Sequence, residues 1–235
     1  MNKNNSLAFA LTILISGIVI GGGIFISRTN LLANLFEKEE FVEIKDDKIQ
    51  PITAEDHIIG NPDADVIIIE YSDFECPYCQ EFHTTMRRII DDYGQTGSVA
   101  WIYRQAPLEE IHSNARRIAL VSECVSEIGG NNMFWNFTNQ IFDNAPESIS
   151  ESNTNIILEN LGLDTEEINS CTEEPETIKK IEDDLKDIEY IKSIDREFGT
   201  PYNIVITKTG IQENLSGALP YSLLSDFIQQ NSLEF

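Results

Sequence analysis

Two cysteines stand two residues apart in Cys76-Pro77-Tyr78-Cys79, and that spacing suits disulfide exchange. The reaction needs a thiolate nucleophile and a second sulfur near enough to resolve the mixed disulfide that the first one forms. A thiol at the start of a helix is acidified by unpaired backbone N–H groups and by the positive end of the helix dipole. Pro77 fits the first turn of such a helix, where no N–H is required of it. Cys76 is therefore read as the exposed, attacking sulfur and Cys79 as the resolving one. A competing reading makes the pair half of a zinc site, with His83 close by in sequence. A structural zinc takes four ligands, and the other candidates, Cys124, Cys171, His57 and His112, offer no second paired spacing. No metal is assigned, and no cofactor is called for, because the sulfurs themselves carry the electron pair.

The pair lies where a strand must hand over to a helix. Val66, Ile67, Ile68, Ile69, Glu70 and Tyr71 follow the turn Asn61-Pro62-Asp63 and have the β-branched character of a strand buried on both faces. Beyond Cys79, residues Phe82, Met86, Ile89, Ile90 and Tyr93 keep helical spacing up to Gly94, and residues 98–103 read as a second strand. Strand, helix and strand make a βαβ unit with a parallel pair. From about residue 109 to 175 the pattern is helical, with Ile111, Ala115, Ile118, Ser122 and Val125 on one face and Phe134, Phe137 and Ile141 on another. Asp164 and Glu167 have the spacing of a capping box within it. These helices interrupt the α/β order and are read as an inserted helical subdomain. A long returning helix from Ile178 to Phe198 ends near Gly199; strands at residues 202–207 and 211–216 and a closing helix at 220–230 complete the chain.

The amino-terminal part is of another kind. Residues 7–26 run without a charge, with Thr12 and Ser16 as the polar side chains. At about 1.5 Å per residue such a helix spans a hydrocarbon core of about 30 Å. Residues 1–27 are read as a retained signal anchor, with a cleaved signal peptide as the alternative. Lys3 and Arg28 flank it on opposite sides and leave the orientation to be decided by the chemistry. Residues 28–50 are a mixed, charged linker, and residues 51–235 the catalytic domain. With 16 basic against 40 acidic residues and a formal charge of −24, the surface repels nucleic acid and anionic lipid.

The segment Glu70-Tyr71-Ser72-Asp73-Phe74-Glu75-Cys76-Pro77-Tyr78-Cys79 is followed by Tyr103-Arg104-Gln105-Ala106-Pro107-Leu108. After these come His112, Asn114 and Ala115, then Phe134-Trp135, Gly199-Thr200-Pro201 and Gly217-Ala218-Leu219-Pro220-Tyr221. This ordered set resembles the DsbA-like thiol:disulfide oxidoreductases, nearest to their membrane-tethered branch, from about Thr53 to the carboxyl terminus. The resemblance implies a thioredoxin fold with a helical insertion, here preceded by one transmembrane helix. It implies a cis peptide bond at Thr200-Pro201 beside the active site, where the residues alone leave a trans, strand-opening proline equally open. It places Glu70 where relatives carry a buried acid beneath the disulfide, a general base for Cys79; a carboxylate at a strand end that meets water is the alternative. Asp73 and Glu75 are read as solvated loop acids that oppose thiolate formation, and His112 as a capping or packing residue. Trp101 and Trp135 are read as walls of the core or cleft.

The function implied is introduction of disulfides into exported proteins by a single-pass protein of the cell membrane, its catalytic domain extracytoplasmic. The partners implied are unfolded exported clients and a membrane quinone-linked thiol oxidase; a monomer is expected. Tyr78 stands where the strongest oxidants of the family carry histidine, so isomerase or reductase action is retained as an alternative, as is a client-binding module without catalysis. In an oxidising compartment Cys124 and Cys171 are expected to form a structural disulfide across the insertion, against two separate buried thiols.

Overall fold

The β-branched run ahead of the cysteines forms a strand, and all seven of its residues, Val66–Ser72, are buried. The computed structural model describes residues 43–232. Five strands among them, β1 (His57–Gly60), β2 (Val66–Ser72), β3 (Val99–Gln105), β4 (Tyr202–Thr207) and β5 (Gln212–Ser216), form one sheet in the order β1-β3-β2-β4-β5. β2 is parallel to β3 and antiparallel to β4. A strand with neighbours on both edges and helices on both faces has no side left for water, which is why its sequence shows no polar alternation.

The helices are α1 (Pro77–Ile89), continued by a π-turn at Ile90–Gly94, α2 (Ala115–Gly129), α3 (Asn131–Asp143), α4 (Glu151–Asn160), α5 (Thr165–Cys171), α6 (Pro175–Ile194) and α7 (Tyr221–Asn231). Strand periodicity divides the core. Val66 and Ile68 join Trp101, α1, the inserted helices and α7 in one cluster. Ile67, Ile69 and Tyr71 join Ile188 and Ile191 of α6, with Ile44, Ile49 and Ile52, in the other. Each fully buried isoleucine of β2 contributes roughly 2 kcal/mol of transfer free energy, and a slip of one residue would send every one of them to the wrong face. Glu70 shares the parity of Val66 and Ile68, so it faces α1.

Several boundaries differ from the sequence reading. β1 was not foreseen: it is four residues long and pairs antiparallel with β3 at the sheet edge, too short for periodicity to register. The first inserted helix begins at Ala115 rather than near residue 109, and Ile111, placed on its apolar face, is 72% exposed in the turn before it. α6 stops at Ile194, short of Gly199. Asp164 caps α5, accepting from the backbone N–H groups of Glu166 and Glu167. The described end of the linker, residues 43–50, is packed, with Ile44 and Ile49 in the second core cluster. Arg104 fastens it, donating to the carbonyls of Gln50 and Pro51 (both 3.0 Å) and to Asp56 (2.9 Å) and Asp187 (3.2 Å). Cys124 on α2 and Cys171 on α5 are joined by a disulfide, with Cα atoms 5.8 Å apart. The anchor assigned to residues 7–26 lies outside the described residues; among those described no helix is long and apolar enough to cross a membrane.

Candidate active site

β2 ends at Ser72, the chain turns through Asp73-Phe74-Glu75, and α1 starts with Cys76 as its N-cap and Pro77 in its first turn. Cys76 thus occupies the place that a serine or aspartate usually takes to satisfy the free N–H groups of the first turn. Cys79, three residues on, faces the sheet and is fully buried. Both sulfurs are thiols and both are buried, Cys76 at 6% exposure rather than the exposed sulfur expected from the sequence, because the Thr200-Pro201 segment lies over it. The Thr200-Pro201 peptide is cis, and the Thr200 carbonyl accepts from the Cys76 thiol at 3.3 Å. Residues 76 and 200, far apart in sequence, meet because β4 lies beside β2 and its first residue pairs with Tyr71. Tyr78 points outward and is 63% exposed.

The two sulfurs are driven in opposite directions. The hydrogen bond from the Cys79 thiol is the largest influence on Cys76, and with the Thr200 hydroxyl and the N–H groups of Cys79 and Tyr78 it outweighs burial, lowering its pKa to about 6. The buried Thr200 hydroxyl has no hydrogen-bond partner among the described residues. Burial pushes Cys79 well above the ordinary thiol range, reinforced by the bond to Cys76 and by the charge of Glu70. Beneath them Glu70 lies wholly buried, between Tyr103 of β3 and Asn203 of β4. Burial raises its carboxyl to about 8, against the lowering influence of the Ser72 hydroxyl and the Trp101 indole. Trp101 Nε1 donates to Glu70 Oε2 at 2.9 Å. A carboxyl in that range is largely protonated at neutral pH and can still exchange its proton.

Cys76, Cys79, Pro77, Tyr78, Glu70, Thr200 and Pro201 therefore belong to one site, whereas Cys124 and Cys171 bridge helices within the insertion. Asp73 is not the solvated acid expected from the sequence, and Glu75 is half-buried. Asp73 is 1% exposed; its carboxylate accepts from the N–H of Glu75 (2.8 Å) and of Leu108 (2.7 Å), and lies 2.8 Å from His112 Nδ1. Glu75 accepts from the backbone and side chain of Asn114 at 2.6 and 3.2 Å. The donor role of Trp101 and the Asp73–His112 pair were missed. Strand parity carried a trace of the first, since Trp101 and Tyr103 share a face of β3 as Ile68 and Glu70 share one of β2. His83 is buried with Nε2 2.8 Å from Asn139 Oδ1, and His57 pairs with Glu123 at 2.8 Å.

Comparison with known proteins bears on the family and the fold. A family model described as thioredoxin matches residues 53–198. The chain is 29% identical over 133 residues to disulfide bond formation protein D of Bacillus subtilis, covering 56% of each protein. It is 38% identical over 80 residues to the Na(+)/H(+) antiporter NhaA 3 of Salinispora tropica, matching 34% of this chain but only 11% of that much longer relative. Among solved structures, DsbA2 of Pseudomonas aeruginosa has a TM-score of 0.62 at 25% identity, over 79% of this chain and 100% of that one. BdbD of Bacillus subtilis gives 0.62 at 19%, over 78% and 96%. The chain belongs to the thioredoxin family and has the fold of its DsbA-like oxidoreductases.

Proposed function

We propose that the protein is a membrane-anchored thiol:disulfide oxidoreductase that works outside the cytoplasm and introduces disulfide bonds into exported proteins. The observation that carries this reading is the opposed tuning of two sulfurs on one helix end, Cys76 lowered to about 6 and Cys79 raised. In the oxidised protein a client thiolate attacks the Cys76 sulfur; the Cys76–Cys79 bond breaks and Cys79 leaves as thiolate. Glu70, protonated at neutral pH because its pKa is about 8, supplies the proton that a buried thiolate needs. A second client thiolate then attacks the client sulfur of the mixed disulfide, and Cys76 leaves as a stabilised thiolate. The client loses two electrons and the protein gains them. Run backwards, Glu70 accepts the Cys79 proton while Cys79 resolves. Pro201 has no N–H to engage, and the backbone around its cis bond is where an extended client segment would lie.

The acidity of Cys76 supports this direction, because a stabilised thiolate favours the reduced protein and makes its disulfide a better oxidant. Tyr78 faces solvent and adds no cation, so a potential short of the strongest oxidants belongs to the proposal. Reoxidation by a membrane quinone-linked thiol oxidase, a monomeric state and the anchor at residues 7–26 are parts of the same reading. The Cys124–Cys171 disulfide supports an oxidising compartment. Equilibration of the Cys76/Cys79 pair with glutathione tests the direction. A potential less negative than roughly −200 mV is expected, whereas one near the −270 mV of thioredoxin would make the protein a reductase. Alkylation of the reduced cysteines in intact cells by a membrane-impermeant reagent tests the topology; protection that only lysis removes would refute it.

A further inference from the structure

The three residues ahead of Cys76 are each held by the helical insertion or the turn that leads into it. The Phe74 ring packs on Phe137 and Phe142 of α3, at centroid distances of 6.4 and 5.3 Å, Glu75 is bound by Asn114, and Asp73 by Leu108 and His112. Asp73 differs from the other two in what its backbone does. Its carbonyl accepts from the Cys76 N–H at 3.0 Å, and its own N–H points at the Cys79 sulfur, 3.4 Å away. One peptide segment thus touches both cysteines. The carboxylate on the same residue is gripped by three donors, two of them 35 and 39 residues further along the chain. A side chain held at three points fixes the orientation of the backbone that carries it.

The surroundings of Cys79 explain why that orientation matters. The groups facing its sulfur are Glu70 from β2, Tyr103 from β3 and Cys76 at the head of its own helix. Burial, the Cys76 thiol and the Glu70 carboxylate all oppose a negative charge there, and the Asp73 N–H favours it. Hydrogen bonds to a charged acceptor in a dry site are among the stronger ones.

We propose that Asp73 and His112 form a positioning pair for the resolving step, holding the Asp73 peptide N–H on the Cys79 sulfur and so stabilising the thiolate that attacks the mixed disulfide. The proposal rests on the exchange reading given above. In the step concerned the Cys79 proton passes to the Glu70 carboxylate or to water. The Cys79 thiolate attacks the Cys76 sulfur, the Cys76–Cys79 bond forms, the bond from Cys76 to the client sulfur breaks, and the client leaves as a thiolate; no outside oxidant is needed. Neither Asp73 nor His112 touches the reacting bond with its side chain. Their effect passes through the peptide.

The test uses the full chain with Cys76 loaded as a mixed disulfide with 2-nitro-5-thiobenzoate, whose release by Cys79 is followed by its colour across a range of pH. His112→Ala is expected to slow release about tenfold at neutral pH and to move the rate profile about one unit to alkaline, as one pKa unit on the attacking thiol requires. His112→Asn, which restores an N–H donor at the place of Nδ1, is expected to recover most of the rate. The alkylation profile of Cys76 in the reduced protein should not move. Should His112→Ala fail to fold, His112→Met keeps the bulk, lacks the donor and carries the same expectation. A wild-type release profile in the donor-less variants overturns the proposal, as does a Cys76 profile that shifts equally, which marks general loosening of the loop. A wild-type protein that releases no thiobenzoate fails earlier, at the exchange reading itself.

Discussion

Replacing Glu70 by glutamine keeps the shape of the side chain and an oxygen for the Trp101 indole while removing the ability to ionise. Burial raises the Glu70 carboxyl from an ordinary value of 4.5 to about 8, and that displacement is a statement about stability. A buried acid whose folded value is raised costs nothing below its unfolded value. The cost grows as pH climbs from the unfolded toward the folded value and is constant beyond it. At 1.36 kcal/mol per unit, the interval from 4.5 to neutral pH corresponds to about 3 kcal/mol, and the whole interval to about 5 kcal/mol. Because Glu70 is fully buried, no part of this is discounted for solvent. The stability of Glu70→Gln relative to the unmodified protein should therefore rise by about 3 kcal/mol from pH 4.5 to 7 and level off above pH 8. Any constant penalty from the new amide shifts the curve without changing its slope. Urea unfolding of both proteins under reducing conditions at a series of pH values measures it, provided the m-values agree. A difference that does not change between pH 5 and 8 would refute the placement of an ionisable, desolvated carboxyl beneath the cysteines.

Other outcomes follow from the same site. Glu70→Gln should also slow resolution of a Cys76 mixed disulfide near neutral pH, with a deficit that shrinks at higher pH, as stopped-flow traces would show. The alkylation rate of Cys76 should rise with pH around a midpoint of about 6; a midpoint in the ordinary thiol range near 8.5 would contradict its stabilisation by the Cys79 thiol, Thr200 and the helix-end N–H groups. Replacing Cys124 and Cys171 together by alanine removes a link between residues 47 apart and should cost about 4 kcal/mol in denaturant unfolding on the loop-closure estimate. Exchange at Cys76 should survive it.

How much of this was legible in the sequence depended on how local each signal is. The doubly buried strand, the helix start at Pro77 and the closing helix were readable because each is set by a run of neighbouring residues. β1 was not, since four residues at a sheet edge leave no period to detect. Asp73 and Glu75 looked solvated because an acid in a loop usually is. The burial of Asp73 and the binding of half-buried Glu75 depend on Leu108, His112 and Asn114, which only the tertiary fold brings near. The Cys-x-x-Cys spacing announced exchange chemistry, but the division of acidity between the sulfurs depends on distant residues. It needs Thr200 from the turn before β4 and Glu70 from the strand below. Ile111 continued a helical pattern by chance and lies in an exposed turn, a reminder that an apolar residue at the right spacing does not by itself extend a helix.

The central claim is that Cys76 is the sulfur that bonds to clients and that Cys79 is its partner, leaving when that bond forms and resolving it when exchange runs backwards. The direct measurement is the capture of mixed disulfides by single-cysteine proteins, resolved on non-reducing gels and released by reductant. Cys79→Ala should accumulate such adducts, because the attacking thiolate remains and the resolving one is gone, and Cys76→Ala should form none. Adducts held by Cys76→Ala and absent from Cys79→Ala would contradict the account.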